Sequence, residues 1–187
     1  MANELKFTDE EIKAAGDCAA NYNSEFGYHC SESILRAAWP LLFPKEELTS
    51  MVRKIIMPLR GGIAASMSSH CGGLMVGILL IGGLYGRDDI DGDGRLAPAI
   101  ARRYWQRFLE EYGTSQCSIL RGIDAGENER NMNCNLIIRN STMMLLQFIN
   151  ELSADFPTAE KIYSWGVDRT NEPCHEQISP IKSSDQH

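Results

Sequence analysis

The sequence predicts an all-α protein, a compact bundle of about six or seven helices around a glycine-rich central helix. Apolar residues recur at helical spacing along most of the chain. Candidate N-caps and proline or glycine stops bracket those runs, and three helices are spent before any strand candidate appears. The length of 187 residues suits one domain, and 43% hydrophobic residues allow it a real core. Residues 1–165 read as a single helical, cysteine-containing domain, and 166–187, with Pro173 and Pro180, as a C-terminal arm with little regular structure.

Thr8 and Glu11 make a capping box for a first helix that ends near Gly27. A second begins near Cys30, carries Ile34, Leu35, Ala38 and Leu42 on one stripe, and stops at Pro44. Pro44 then sits in the first turn of a third, with Leu48, Met51, Val52, Ile55 and Ile56 at helical spacings and Pro58 closing it. The small, polar stretch Arg60 to Ser69 reads as a tightly turned loop. It leads into the apolar helix at Cys71, where Gly73 and Gly77 leave one side nearly bare for close approach.

After the acidic loop Asp88 to Gly94, LAPAIARRYWQRFLEEYG is amphipathic, with Ile100, Tyr104, Phe108 and Leu109 inward and Gly113 as its stop. Cys117 falls in a short connection or a helix start. Asp124 to Asn133 reads as irregular, so that Cys134 opens the long helix that follows.

The formal charge of -7 removes any general attraction to nucleic acid or anionic lipid. The apolar run from Cys71 to Tyr85 falls short of the roughly 20 residues a bilayer core requires, so no membrane span is expected. An acidic start without an apolar signal core points to a cytoplasmic site. In that reducing compartment six cysteines suggest metal or redox chemistry rather than a disulfide frame. No pair is spaced as Cys-x-x-Cys, which argues against a zinc ribbon and a thioredoxin motif, and without Cys-x-x-Cys-His no covalent c-type haem is expected.

Cys30, Cys71 and Cys134 fall at or just before expected helix N-termini, and Cys117 just beyond a helix end. A helix N-terminus lowers a thiol's pKa and stabilises a thiolate or a thiolate-metal cluster. Four such thiolates converging on one point would complete a tetrahedral metal site or an iron-sulfur cluster. Cys18, inside the first helix, and Cys174, in the arm, are expected to lie outside that set.

The segments HCSESILRAA, Gly61-Gly62, CGGLMVGILLIGGLYGR, FLEEYGTSQCSIL and NCNLII, spread over about Tyr28 to Gln147, resemble the C_GCAxxG_C_C family of redox-active proteins. The resemblance implies a helical domain whose cysteines serve redox chemistry or hold a metal or iron-sulfur centre, with Cys30, Cys71, Cys117 and Cys134 as the carried-over positions.

Two secondary signals are weaker. Asp89-Ile90-Asp91-Gly92-Asp93-Gly94 copies the first half of a calcium loop, but Pro98 and Ile100 break the second half, which favours a solvated acidic turn. Arg102, Arg103 and Arg107 form a basic helix face, better explained by pairing with Glu110 and Glu111 than by an anion site. His29 and His70 precede cysteines, but neighbours on a helix diverge, so one metal held by a His-Cys doublet is not expected.

The leading expectation is an electron-transfer or redox protein with an iron-sulfur cluster or related metal on Cys30, Cys71, Cys117 and Cys134, serving a redox partner protein. Two alternatives stay open: a metal-free thiol-disulfide oxidoreductase with Cys71 as nucleophile, or a helical interaction module with buried structural cysteines that pairs with itself as a homodimer or with a partner.

Overall fold

The computed structural model describes residues 5–122, 124, 126–154 and 156–165, and the expected arm from 166 onward lies outside them. Among the described residues eight α-helices follow one another: α1 (Asp9–Ser24), α2 (Cys30–Leu42), α3 (Ser50–Ile56), α4 (Gly72–Tyr85), α5 (Leu96–Tyr112), α6 (Cys117–Arg121), α7 (Glu127–Ala154) and α8 (Ala159–Tyr163), with a 3-10 turn at Met57–Leu59. No strand is formed among the described residues, and the protein is all-α.

The first helix begins as its sequence dictates. The Glu11 amide donates to Thr8 Oγ1 at 3.2 Å, and the Thr8 amide donates to the Glu11 carboxylate at 2.8 Å. α1 runs antiparallel to α7, strapped by Arg139–Asp17 at 2.6 Å near the middle of both helices and by two hydrogen bonds between Asn150 and the Phe7 backbone just before α1. α4 packs against α2, α5 and α7. Its bare side is used as expected: a Cβ on Gly77 would stand 2.4 Å from the Tyr104 ring. Tyr104, Ile100 and Phe108 are fully buried at i, i+4 and i+8, the inward face of α5.

Two boundaries and one buried face depart from the periodicity. Pro44 does not open the third helix, because Thr49 accepts from the Val52 amide at 3.3 Å and caps a shorter one; Met51 and Ile55 then face outward. Residues before that cap form a turn held to α2 by Trp39 Nε1, which donates to the Glu46 carbonyl at 2.9 Å. Leu109, expected inside, is 36% exposed, since it lies 100° round the helix from Phe108.

The third departure concerns the site. α7 starts at Glu127, not at Cys134, with Glu127 and Glu129 in its first turn where the positive dipole end favours acidic side chains. Cys134 therefore sits inside the helix, beyond the reach of the unpaired N-terminal amides. Among the described residues no helix is long and apolar enough to cross a membrane.

Candidate functional site

Four separate elements deliver the four cysteines. Cys30 is the first residue of α2, Cys71 the N-cap of α4, Cys117 the first residue of α6, and Cys134 an inward residue of α7. All four line one cavity of about 340 Å³, together with His29, Arg60, Met67, Arg121, Asn131 and the apolar walls of Leu120, Ile137 and Ile138.

Backbone pairing fixes two of them. The Cys71 amide donates to the Ser115 carbonyl at 2.7 Å, and the Cys117 amide donates to the Ser69 carbonyl at 2.9 Å. These bonds flank an antiparallel bridge between His70 and Gln116. Cys71 and Cys117 both line the cavity, and His70 does not. His70 accordingly points elsewhere, with Nδ1 2.9 Å from Ser115 Oγ and its ring edge-on to Trp105.

The turn before α2 places Cys30. Asn23 Nδ2 donates to the Tyr28 carbonyl at 2.6 Å, and the His29 amide donates to the Glu32 carboxylate at 3.2 Å. The Cys30 thiol rests over bare backbone: a Cβ on Gly72 would stand 2.6 Å from its Sγ and 2.9 Å from the Leu59 carbonyl oxygen.

The segment between α3 and α4 is unusual. Gly61, Gly62, Ile63, Ala64 and Ala65 all have positive φ, and Met67 does too, at 61°. Such a left-handed turn costs about 1–2 kcal/mol for each residue bearing a Cβ. It is held by the Ala65 and Met67 amides, which donate to the Arg60 and Gly61 carbonyls at 3.0 and 2.9 Å. What the strain achieves is placement, since Arg60, Gly61, Ala65 and Met67 all reach the cavity. Met67 Sδ ends 4.0 Å from Cys117 Sγ and 3.9 Å from a terminal nitrogen of Arg121.

Electrostatics run against the helix-dipole expectation. Cys71 is only 6% exposed, and burial, reinforced by Cys30, pushes its thiol up to about 12, outweighing the opposing pull of the Gly73 and Leu74 amides. Burial likewise pushes Cys117 up to about 11, with Cys30 and Cys134 adding to it, and raises Cys134 although Arg121 opposes. A free Cys71 is thus a poorer nucleophile than its position on α4 suggests.

A stability prediction follows from the sign of this shift. The folded state holds the Cys71 proton more tightly than the unfolded chain, so stability is intact below about pH 9 and is lost as pH rises towards the folded value of about 12. Urea unfolding of metal-free protein should show that loss between these limits, and the Cys71→Ser variant should show less of it. Equal slopes in the two proteins would contradict the burial argument.

Other sequence signals resolve differently. Cys18 is exposed on α1 and apart from the cavity, and Cys174 lies outside the described residues. In the acidic loop Arg87 donates to the carbonyls of Ile90 and Gly92 at 2.8 and 3.2 Å, while Asp93 accepts from Tyr163 and from the Arg95 amide. That loop is a turn tied to α8. Arg103 pairs with Glu110 at 3.4 Å and Arg107 with Glu151 at 2.6 Å, so Glu111 is not the partner expected.

Arg121, Asn131 and Met67 were not among the expected site residues. Arg121 stands four residues beyond Cys117 and Asn131 three before Cys134, one helical turn in each case, so spacing could have found both. Met67 carries no such signal, because its position depends on the left-handed turn. Among the described residues no group of three or more His, Cys, Asp and Glu side chains is arranged to hold a metal ion.

No curated protein and no solved structure matches the chain. A family model described as "Putative redox-active protein (C_GCAxxG_C_C)" matches residues 28–148, a span that takes in all four cavity cysteines and leaves out Cys18 and Cys174. The chain therefore belongs to the C_GCAxxG_C_C family of redox-active proteins.

Proposed function

We propose that this protein transfers electrons through an iron-sulfur cluster held in the cavity by Cys30, Cys71, Cys117 and Cys134. The observation that carries the reading is the convergence of four cysteines, from four elements far apart in sequence, on one cavity of about 340 Å³. Four thiolates are the donor set such clusters take. Ligands of a polynuclear centre stand around a shared core, an arrangement compatible with thiols that are not gathered for a single ion.

The charges around the cavity support the same reading. Its lining contains Arg60 and Arg121 and no carboxylate among the described residues, although the chain as a whole is acidic. Cations favour an anionic thiolate cluster, and Leu120, Ile137 and Ile138 give the cavity apolar walls. Bound there, the cluster would supply one-electron chemistry, and the cysteines would be deprotonated by coordination despite their raised pKa values. The same raised values weigh against a metal-free mechanism that needs Cys71 as a free thiolate. A reducing cytoplasm and a redox partner protein suit this role.

Anaerobic purification tests the proposal. Coloured protein containing iron and acid-labile sulfide is the expected result. Colourless, metal-free protein with four freely titrating cavity thiols, even after reconstitution with iron and sulfide, would overturn it. Reversible loss of two protons per chain on oxidation, without metal, would transfer the function to a dithiol-disulfide pair.

A further inference from the structure

Beside the cysteine cavity lies a second one of about 230 Å³, lined by Met67, Ser118, Arg121 and Arg130. Met67 and Arg121 border both. Among the described residues, the buried Arg121 Nε has no hydrogen-bond partner, and one of its terminal nitrogens meets a weak acceptor, Met67 Sδ, at 3.9 Å. A buried guanidinium nitrogen without an acceptor is costly, because its desolvation is not offset. The oxygen-poor lining makes that cost plain: among the described residues neither cavity includes a carboxylate.

Ser118 adds a suitable donor. Its Oγ accepts from Gln116 Nε2 at 3.1 Å, a bond that does not use the hydroxyl proton. The volume of about 230 Å³ is several times the ~30 Å³ share of a liquid water molecule. It is below the roughly 300 Å³ at which pockets for drug-sized ligands begin. Two guanidinium groups and a hydroxyl in a space of that size match a tetrahedral oxyanion, which accepts from all three at once.

We propose that this second cavity binds a small inorganic oxyanion of the sulfate or phosphate class, held by Arg121, Arg130 and Ser118. Arg121 Nε gains its missing acceptor there, and the anion sits one methionine side chain away from Cys117. The site goes beyond the cluster reading and does not depend on it. An anion there would place negative charge beside the cysteine cavity, with which its site shares Met67 and Arg121.

Calorimetric titration of the full chain with sodium sulfate, and separately with inorganic phosphate, tests the site at constant ionic strength set with chloride. One saturable site is expected. Arg121→Gln and Arg130→Gln should each weaken it at least tenfold, whereas Arg102→Gln, on the exposed face of α5, should leave it unchanged. Ser118→Ala should weaken it several-fold, and it covers the case in which Arg121→Gln fails to fold by circular dichroism. Absence of saturable binding to either anion, or wild-type affinity in the Arg121→Gln and Ser118→Ala variants, would overturn the proposal. Iron and sulfide are assayed separately, so sulfate binding by protein that takes up no cluster counts against the iron-sulfur reading alone.

Discussion

Cys71→Ser should abolish the iron, sulfide and colour of the proposed centre while leaving the helical fold intact. Cys71 is the most buried of the cavity cysteines, and it receives the α4 dipole as an N-cap. Serine is nearly isosteric, and it is among the best N-cap residues, so the substitution does not weaken the start of the helix. What it removes is the soft thiolate, for which a hydroxyl is no substitute. Loss of the centre would thus report ligation rather than misfolding. Far-ultraviolet circular dichroism and the thermal midpoint check the fold, and iron per chain checks the centre. Cys18→Ser, on the exposed face of α1, should change neither. A Cys71→Ser protein that keeps a full complement of iron would remove Cys71 from the ligand set and with it the four-cysteine assignment.

The local rules of helix formation carried much of the fold. Thr8 with Glu11 marked the first N-terminus, and the spacing of Ile100, Tyr104 and Phe108 marked the buried face of α5, because both depend on residues one turn apart. Where two signals competed, the sequence alone could not rank them. Pro44 and Thr49 each suit a helix start, and the Trp39 bond to Glu46 decides for Thr49 by drawing the intervening residues into a turn.

The site was legible in its cysteines and illegible in its energetics. Cys30 and Cys71 stand at the helix starts expected for them and Cys117, read as a short connection or a helix start, opens α6, while Cys134 reaches the cavity for another reason, as a face residue of a helix that begins seven residues earlier. The dipole argument predicted lowered thiol pKa values, but burial and the neighbouring cysteines dominate at Cys71 and Cys117. Both are consequences of tertiary packing. The left-handed turn that supplies Met67 was no more visible, since Ile63, Ala64 and Ala65 are residues that normally avoid positive φ. Arg121 was within reach of helical spacing, although nothing local distinguished it from a surface arginine.

Gly72→Ala is the second large effect to expect, because it moves the proposed ligand Cys30 without altering the chemistry of any cavity cysteine. The new Cβ would lie 2.6 Å from Cys30 Sγ and 2.9 Å from the Leu59 carbonyl oxygen, both closer than real Cβ contacts. The oxygen belongs to backbone and yields little, so Cys30 must turn away or α2 must shift from α4. Overpacking of this kind costs about 1–3 kcal/mol. Gly82→Ala is the matched control on the same helix, with nothing within 4 Å of its Cβ, and it should stabilise by about 0.5–1 kcal/mol through helix propensity. Comparing the two separates a general effect of alanine on α4 from crowding at Cys30. The expected outcome is a lower urea midpoint and a lost or strongly diminished iron content for Gly72→Ala, with a higher midpoint and full iron content for Gly82→Ala. If Gly72→Ala binds iron as fully as the parent, Cys30 Sγ does not have to occupy the position over α4 for the centre to form. The cavity geometry would then have to be rebuilt around Cys71, Cys117 and Cys134.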